Sequence, residues 1–297
     1  MVRSLWTAAS GMIAQQENVD TIAHNMANIN TTGYKAETAE FKTLLYQTLQ
    51  SRSTNNAGET KPISAQVGLG TRTASVTSHF TQGNLIDTDS PFAVAMEGDG
   101  FFKVRTIDGQ IQYTRDGNFT VSPVEGGNML CTSDGEPVLD QNNNTIIIPG
   151  TTNAVDENGQ TVVRRINASD ISIAQDGTIA ISADGGNTYN NMIRTDANGN
   201  PLYTVQIGRV QFNNPTGLEK VSGNNYVATV ASGAAMEETQ NVNLVQSKIH
   251  QGRTEASNVQ ISQEMVNLIV AQRAYEMNSK VIQTSDTMLE QANNLRR

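Results

Sequence analysis

The residue types that most often carry chemistry are sparse in this sequence and stand far apart. The histidines are His24, His79 and His250, and an imidazole can bind a metal ion or exchange a proton near neutral pH. None of them has a cysteine, another histidine or a glutamate nearby at the spacing that holds a metal ion. We therefore interpret all three as polar side chains of the surface or of connecting segments.

Two short motifs resemble ligand-binding loops but lack the surroundings that such loops need. GLGTRTAS, residues 68–75, is rich in glycine, yet it leads into a predicted strand, whereas a phosphate-binding loop opens a helix. DANGN, residues 196–200, carries oxygen ligands suited to calcium, but Pro201 replaces the required glycine and no predicted helix flanks it. We interpret DANGN as a β-turn.

The sequence contains no nucleophile-elbow motif, although serine and threonine are plentiful. The carboxylates sit mainly in Asp-Gly pairs, where turn chemistry explains them. The sequence therefore predicts a protein that is not an enzyme and that has no catalytic, cofactor-binding or metal-binding residues.

Polar chemistry is concentrated in amides instead, in HNMANINTTGYKAE, residues 24–37. Asn25, Asn28 and Asn30 crowd the end of a predicted amphipathic helix, although asparagine is a poor helix former and a poor core residue. Asn30 falls on the apolar seam of that helix, whereas Asn25 and Asn28 lie off it. We predict that these amides bond neighbouring helices and fix their register. A helix cap formed by Asn28 or Asn30 is the alternative.

The elements that must position these amides are helices at the two ends of the chain. From Leu5 to Asn30 the seam positions recur at alternating intervals of four and three residues, the heptad pattern of a coiled coil. We predict a helix of about 25 residues, roughly 38 Å long, that stops before Gly33. The seam residues expected to meet other helices are Leu5, Met12, Val19, Met26 and Asn30.

The C-terminal region repeats this pattern over a greater length. No glycine or proline occurs from Thr254 to Arg297, which allows a helix of about 40 residues. Its expected seam residues are Met265, Leu268, Gln272, Tyr275, Ile282 and Leu289. Val266, Ile269, Val270, Ala274, Met277 and Val281 widen the apolar face. The shorter first helix cannot cover so wide a stripe, which predicts an interaction surface; packing on the chain's own globular domain is the alternative.

The middle of the chain has short alternating runs separated by Asp-Gly and Asn-Gly turns, which is typical of β-hairpins. The predicted fold class is therefore α+β: long N- and C-terminal helices that form a coiled-coil-like pair, and a central hairpin-rich all-β domain. We expect residues 1–33 and 254–297 to form a helical domain, residues 34–70 and 236–253 a connector region, and residues 71–235 the β domain.

Within the connector region, residues 50–66 are polar and contain glycine and proline, so we predict an extended arm. The preceding stretch FKTLLYQTLQ, residues 41–50, fits either a short helix or an extended segment.

The composition excludes several classes of partner. The formal net charge of −9 does not favour binding to nucleic acid or to an anionic membrane surface. No apolar stretch approaches the roughly 18 residues of a membrane span. Gln15, Gln16 and Glu17 interrupt the N-terminal apolar residues too early for a cleaved signal peptide. The single Cys131 rules out an internal disulfide framework.

Both ends of the chain resemble one known family. SLWTAASGMIAQQENVDTIAHNMANINTTGYK, residues 4–35, resembles the N-terminal signature of the axial proteins of the bacterial flagellum. EMVNLIVAQRAYEMNSKVIQTSDTMLEQANNL, residues 264–295, resembles their C-terminal signature. GNLIDTDSPFAVAMEGDGFFKV and YTRDGNFTV, in the middle of the chain, are similar to the rod and hook group of that family.

This resemblance implies a structural subunit of the distal rod, with a proximal rod or hook subunit as the alternative. Such proteins pass unfolded through the flagellar type III export apparatus without a cleaved signal peptide. They polymerise helically into a rigid, hollow drive shaft for motility, with the terminal helices in an axial core and the β domain in an outer layer. The implied partners are further copies of the chain, proximal rod proteins, the hook protein, the rod cap and the surrounding rings. The implied location is the flagellar basal body, in the rod that spans the periplasm, and no cofactor is implied.

In this family the connector after the first helix distinguishes the stiff rod from the flexible hook. Residues 50–66 occupy that place, and the rod-type connector residues expected here are Ser51, Asn55, Gly58, Pro62 and Gln66. Segments 151–166 and 184–200 depart from the family pattern, and we expect them to be extra hairpins or loops of the outer surface.

Overall fold

A computed structural model of the chain describes residues 2–50, 65–155, 161–182, 189–195, 201–241 and 244–295. The fold is α+β, with a helix at each end and a β-rich middle, as the sequence predicted. The chain forms two compact units, each assembled from separate pieces of the sequence. Unit 1 comprises residues 1–28, 36–79 and 259–297, and unit 2 comprises residues 29–35 and 80–258.

Unit 1 contains both helices and a long two-stranded ribbon. The helices are α1 (Val2–Ala27) and α2 (Ile261–Asn294), and the strands are β1 (Glu37–Thr43), β2 (Tyr46–Gln50), β3 (Ala65–Gly68) and β4 (Thr71–Ser78). Strand β1 pairs antiparallel with β4, and β2 pairs antiparallel with β3. The stretch 41–50, for which the sequence left a helix and an extended segment open, is therefore extended.

The two helices run antiparallel within unit 1. The hydroxyl groups of Ser4 and Ser285 hydrogen-bond at 3.3 Å, and Asn25 bonds Glu264 at the other end of α1. Helix α1 has 26 residues, close to the predicted length. Helix α2 has 34 residues and is shorter than predicted, because the preceding residues form a strand. The absence of glycine and proline permits a helix there, but main-chain pairing with another strand prevails.

Unit 2 is built from short antiparallel strands. In chain order they are β5 (Leu85–Asp87), β6 (Val94–Glu97), β7 (Phe101–Arg105), β8 (Ile111–Thr114), β9 (Thr120–Val124), β10 (Gly127–Cys131), β11 (Ile147–Ile148), β12 (Thr151–Val155), β13 (Thr161–Arg165), β14 (Ile171–Ile173), β15 (Ile179–Ser182), β16 (Tyr189–Asn191), β17 (Ile193–Thr195), β18 (Pro201–Thr204), β19 (Arg209–Gln211), β20 (Glu219–Lys220), β21 (Asn225–Val227), β22 (Met236–Glu237), β23 (Lys248–Gln251) and β24 (Arg253–Glu255).

The largest sheet of unit 2 has six strands in the order β20-β21-β8-β7-β19-β22. Smaller sheets pair β11-β10-β9 and β14-β15-β16, and two-stranded pairs join β23 to β6 and β24 to β5. The predicted Asp108-Gly109 and Asp176-Gly177 turns connect the paired strands β7–β8 and β14–β15, and both glycines have positive φ. The described part of segment 151–166 forms the hairpin β12–β13.

Two clusters of buried side chains form the core of unit 2. One is mainly aliphatic and includes Val94, Val104 and Ile207. The other is mainly aromatic and surrounds Phe101, whose ring makes edge-to-face contacts with Phe212 and other aromatic rings. Such pairs stabilise a core beyond the burial of apolar area. Unit 2 is therefore a packed body of its own.

Candidate assembly interface

The face that α1 and α2 share is made mainly of small and polar residues, with Ile22 as its large apolar residue. On α1 the buried residues are Ala8, Ala14, Ile22 and Asn25, and on α2 they are Glu264, Ala271 and Ser285. Gly11 allows a close approach, since a Cβ atom there would lie 2.9 Å from Nδ2 of Asn278. Few of the large apolar residues that the sequence places on α2 are therefore buried between the two helices.

Among the asparagines of residues 24–37, Asn25 has both its side-chain nitrogen and its side-chain oxygen hydrogen-bonded to main chain. It is 1% exposed, its Nδ2 donates to the carbonyl of Glu37 at 2.7 Å, and its Oδ1 accepts from the Glu37 amide at 2.9 Å. Nδ2 also lies 3.4 Å from Oε1 of Glu264 on α2. Asn25 thus links α1, β1 and α2 of the same chain. Its bond to α2 agrees with the predicted bond between neighbouring helices.

The other two amides behave differently. Asn28 donates from Nδ2 to the carbonyl of His24 at 2.9 Å, just after the last residue of α1. It therefore satisfies a carbonyl group at the helix end, as the capping alternative requires. Asn30 is exposed.

The predicted seam residues lie on one flank of the helix pair. On α1, Leu5, Met12, Val19 and Met26 are half-buried. On α2, Leu268 and Ile282 are half-buried, whereas Met265, Gln272, Tyr275 and Leu289 are exposed. A groove of about 420 Å³ brings together Val19, Gln272 and Tyr275, with Gln16 and Glu276 at its edge. The remaining seam residues do not line this groove.

A second apolar stripe runs along the opposite flank of α2. It consists of Val266, Val270, Met277, Val281 and Met288, whose exposed fractions range from 42% to 62%. At 100° per residue, the centre of the seam lies roughly 65° to one side of the buried face, and the centre of this stripe lies roughly 100° to the other side. Four of these residues belong to the predicted widening of the seam, which does not include Met288. Their spacing of four, seven, four and seven residues is the signal for a separate stripe.

Each flank of the helix pair has its own groove. The second groove, of about 320 Å³, lies on the side of the second stripe and is lined by Val270 of α2, Ile22 of α1 and Phe41 of the ribbon. Asn18, Asn267 and Glu264 add polar groups to its wall. Thr21, Glu37 and Thr38 line it as well, so this groove mixes apolar and polar groups in similar measure.

Further large apolar residues of unit 1 face solvent. On α1, Trp6 is 71% exposed and Ile13, one heptad later, is 61% exposed. On the ribbon, Leu45 is 83% and Leu49 is 54% exposed, and the ring of Tyr46 packs over Gly68. Unit 1 therefore displays apolar residues on the flanks and outer side of its helices and on its ribbon, which is typical of an assembly surface.

The connector residues can be located only in part. Gln66 lies in β3 opposite Thr48, and its Nε2 donates to Oγ1 of Thr48 at 3.4 Å. Ser51, Asn55, Gly58 and Pro62 lie outside the described residues. The ribbon that flanks them contacts α1, since the Thr71 amide donates to Oγ of Ser10 at 3.3 Å.

One group with a shifted pKa in unit 2, Glu237, belongs to an ion pair that joins strands of the largest sheet. Nζ of Lys103 donates to Oε1 of Glu237 at 2.6 Å and fastens β22 to β7 across β19. Burial raises the pKa of Glu237, and the bond to Lys103 opposes that rise. Among the described residues, no group of three or more His, Cys, Asp or Glu side chains is placed to hold a metal ion. Neither helix, over the residues described, carries an apolar run long enough to cross a bilayer.

Three models of known protein families match this chain, two at its ends and one in its middle. Residues 5–35 match the model of the flagella basal body rod protein family. Residues 95–181 match that of the flagellar hook protein FlgE/F/G D1 domain, and residues 250–295 that of the flagellar basal body rod FlgEFG protein C-terminal region.

Individual relatives match the chain from end to end. The flagellar basal-body rod protein FlgG of Borreliella burgdorferi is 41% identical over 100% of both chains. The FlgG protein of Buchnera aphidicola is 38% identical over 99% of this chain and 100% of its own. That of Caulobacter vibrioides is 37% identical, with the same coverage. The chain therefore belongs to the FlgG family of flagellar basal-body rod proteins.

Proposed function

We propose that this chain is a structural subunit of the distal flagellar rod, where it polymerises with copies of itself. The observation that carries the proposal is the exposed apolar surface of α2. Its own partner helix takes up a small and polar face, so two apolar stripes remain for other subunits. Relatives that match the whole chain are named as flagellar basal-body rod proteins. This role is structural, and it requires neither catalysis nor a cofactor.

Two stripes on opposite flanks favour an open helical assembly. A subunit that meets one neighbour through the seam and another through the second stripe makes contacts between unlike surfaces. Contacts of this kind do not close on themselves after two copies and generate a filament. We propose that the seam forms coiled-coil-like contacts in this filament, with Gln272 as a polar position that specifies register. Asn30 was also predicted as a seam position, but it follows the last residue of α1 and therefore cannot take that role on the helix.

The same proposal assigns roles to the parts of the chain. Residues 1–33 and 254–297 form the axial core, residues 71–235 form the outer layer, and residues 34–70 and 236–253 connect them. Further partners are the proximal rod proteins, the hook protein, the rod cap, the surrounding rings and the type III export apparatus. The location is the rod that spans the periplasm, reached without a cleaved signal peptide.

A charge placed in the second stripe tests the proposal. Met277→Glu puts a carboxylate on an exposed apolar position, so the folded subunit should remain intact while polymers fail to form. Thr287→Glu, an equal charge change on exposed α2 surface outside both stripes, is the matched control. Electron microscopy measures the polymers, and Met277→Glu polymers of normal length would contradict the proposal. Locating the subunit in isolated basal bodies distinguishes the distal rod from the alternative, a proximal rod or hook subunit.

A further inference from the structure

Unit 2 contains a buried ion cluster that the assembly surfaces do not use. Lys35 is 0% exposed, and Arg115 and Glu255 are each 1% exposed. Nζ of Lys35 donates to Oε1 of Glu255 at 2.7 Å, and Nη1 of Arg115 lies 3.6 Å from Oε2 of the same carboxylate. One carboxylate therefore faces two cations inside the unit.

The cluster anchors residues 29–35, which we call the corner segment. The amide of Gly33 donates to the carbonyl of Glu255 at 2.8 Å, so main chain as well as side chain holds the segment. Nζ of Lys35 donates in addition to the carbonyl of Thr81 at 2.8 Å. Thr32 adds two bonds at the edge of the segment, from its Oγ1 to Oδ1 of Asp116 at 2.8 Å and from Nδ2 of Asn224 to its carbonyl at 2.9 Å. The charged part of the anchor nevertheless consists of Lys35, Arg115 and Glu255.

Glu255 has further partners that fix its own position. The amide of Gly83 donates to Oε1 at 2.8 Å. Strand β24, which carries Glu255, pairs with β5, where Glu255 lies opposite Leu85. Arg115 is held by its bond from Nη2 to the carbonyl of Gly98 at 2.6 Å. In the folded chain the position of the carboxylate is therefore fixed by the pairing of β24 with β5 and by the Gly83 amide.

The charge balance of the site depends on that carboxylate. Burial lowers the pKa of both Lys35 and Arg115, and the charge of Glu255 opposes the fall in each case. Removing one partner of a buried ion pair is strongly destabilising, because the other charge is left in the interior without compensation. Without Glu255, docking of the corner segment would bring a second cation beside Arg115.

We propose that Glu255 is a positioning residue that makes docking of the corner segment conditional on the C-terminal connector. The segment binds to unit 2 only once β24 has paired with β5 and supplied the carboxylate. Lys35 and Glu255 are 220 residues apart, so this step waits until almost the whole chain is in place. The residues that follow α1 are consequently among the last parts of unit 2 to dock.

Pulse-labelling hydrogen exchange during refolding of the full chain tests this order. Amides of residues 29–35 should gain protection together with those of 253–255, and not before them. In native Glu255→Gln, exchange in the corner segment should be at least about tenfold faster while β14 and β15 keep wild-type protection. Adding Lys35→Met to Glu255→Gln removes one buried cation and should return part of the lost protection.

Glu97→Gln is the matched control, because Glu97 is an exposed carboxylate that also pairs with a basic side chain, Nε2 of His250 at 2.7 Å. It should leave exchange in the corner segment within about twofold of wild type. If the amides of residues 29–35 in the wild-type chain gain protection before those of residues 253–255, the proposal is overturned. This result can be obtained even if Glu255→Gln does not fold. The proposal is also overturned if exchange in Glu255→Gln is uniformly faster across unit 2, or if exchange in its corner segment is no faster than in wild type. All readouts use the free subunit, so they are independent of polymerisation.

Discussion

Single side chains decide how the pieces of each unit are fastened. Asn25 shows this most clearly, since an amide that looks unsuited to a helix or a core makes three bonds at a buried position. Its value lies in offering a donor and an acceptor on one short side chain, which matches the carbonyl and amide of Glu37. The neighbouring Asn28 and Asn30 have the same chemistry but different surroundings, so their effects on stability should differ.

Asn25→Ala should lower the free energy of unfolding by about 2–3 kcal/mol, because it leaves the main-chain groups of Glu37 without their partner. Asn30→Ala, at an exposed position, should change it by less than about 0.5 kcal/mol. Urea unfolding followed by circular dichroism measures both. Equal effects of the two substitutions would show that the amide bonds do not stabilise unit 1.

Lys35 should make stability depend on alkaline pH. Burial holds its pKa below the ordinary value of 10.5, although Glu255 and Asp99 oppose the fall and Arg115 adds to it. The unfolded chain therefore binds more protons than the folded chain in this window, and the contribution of Lys35 to stability rises with pH. The free energy of unfolding of wild type minus that of Lys35→Met should increase as the pH approaches 10.5.

Urea unfolding at a series of pH values measures that difference, and Lys42→Met, at an exposed lysine of the ribbon, is the control. A difference that stays constant or falls with rising pH would contradict the assignment of a lowered pKa to Lys35.

At the scale of elements, the helix pair shows what sequence pattern can and cannot predict. Heptad spacing predicted both helices, and the absence of glycine and proline supported the C-terminal one, because local propensity and apolar periodicity determine their existence. The pattern cannot tell which face of each helix packs against the other helix of the same chain, since apolar spacing indicates an interaction surface but does not identify its partner. The face that α1 and α2 share includes Gly11, Ala271 and Asn278, residues that a count of apolar positions passes over.

The β elements were predictable for a different reason. Asp-Gly turns specify local hairpins, so the β7–β8 and β14–β15 pairs follow from the sequence. The ribbon strands carry apolar residues that remain exposed, such as Leu49, so their pattern does not match a half-buried strand. The ion cluster could not be predicted at all, because its lysine and glutamate are 220 residues apart.

Gly11 gives a test of the close approach between the helices. Gly11→Ala should stabilise unit 1 by about 0.5 kcal/mol, because alanine favours the helix and the amide of Asn278 can swing away from the added methyl group. Gly11→Leu should destabilise it by about 1–3 kcal/mol, because a branched side chain forces the helices apart. Thermal unfolding separates the two, and a stable leucine variant would show that the helices are not close-packed there.

At the scale of the whole molecule, we propose that residues 50–66, the predicted connector, determine the stiffness of the assembled rod. We expect that shortening residues 50–66 loosens contacts between subunits and lets the polymer bend as a hook does. Electron microscopy of rods from such a variant measures their curvature. Straight rods of normal length would contradict this role of the connector. A variant with Asn153→Ser, in the outer hairpin β12–β13, serves as control and should form straight rods.

The small, polar face between α1 and α2 has a consequence for how assembly begins. A contact of this kind buries little apolar area, so the two helices of a free subunit gain little from each other compared with what both stripes gain in a polymer. Two free subunits can satisfy one stripe at a time, whereas the end of an existing rod offers partners for both. For the proposed assembly we therefore expect the start of a new polymer to be far slower than its extension. Purified subunits should show a lag phase and a threshold concentration, and short rod fragments added as seeds should abolish the lag.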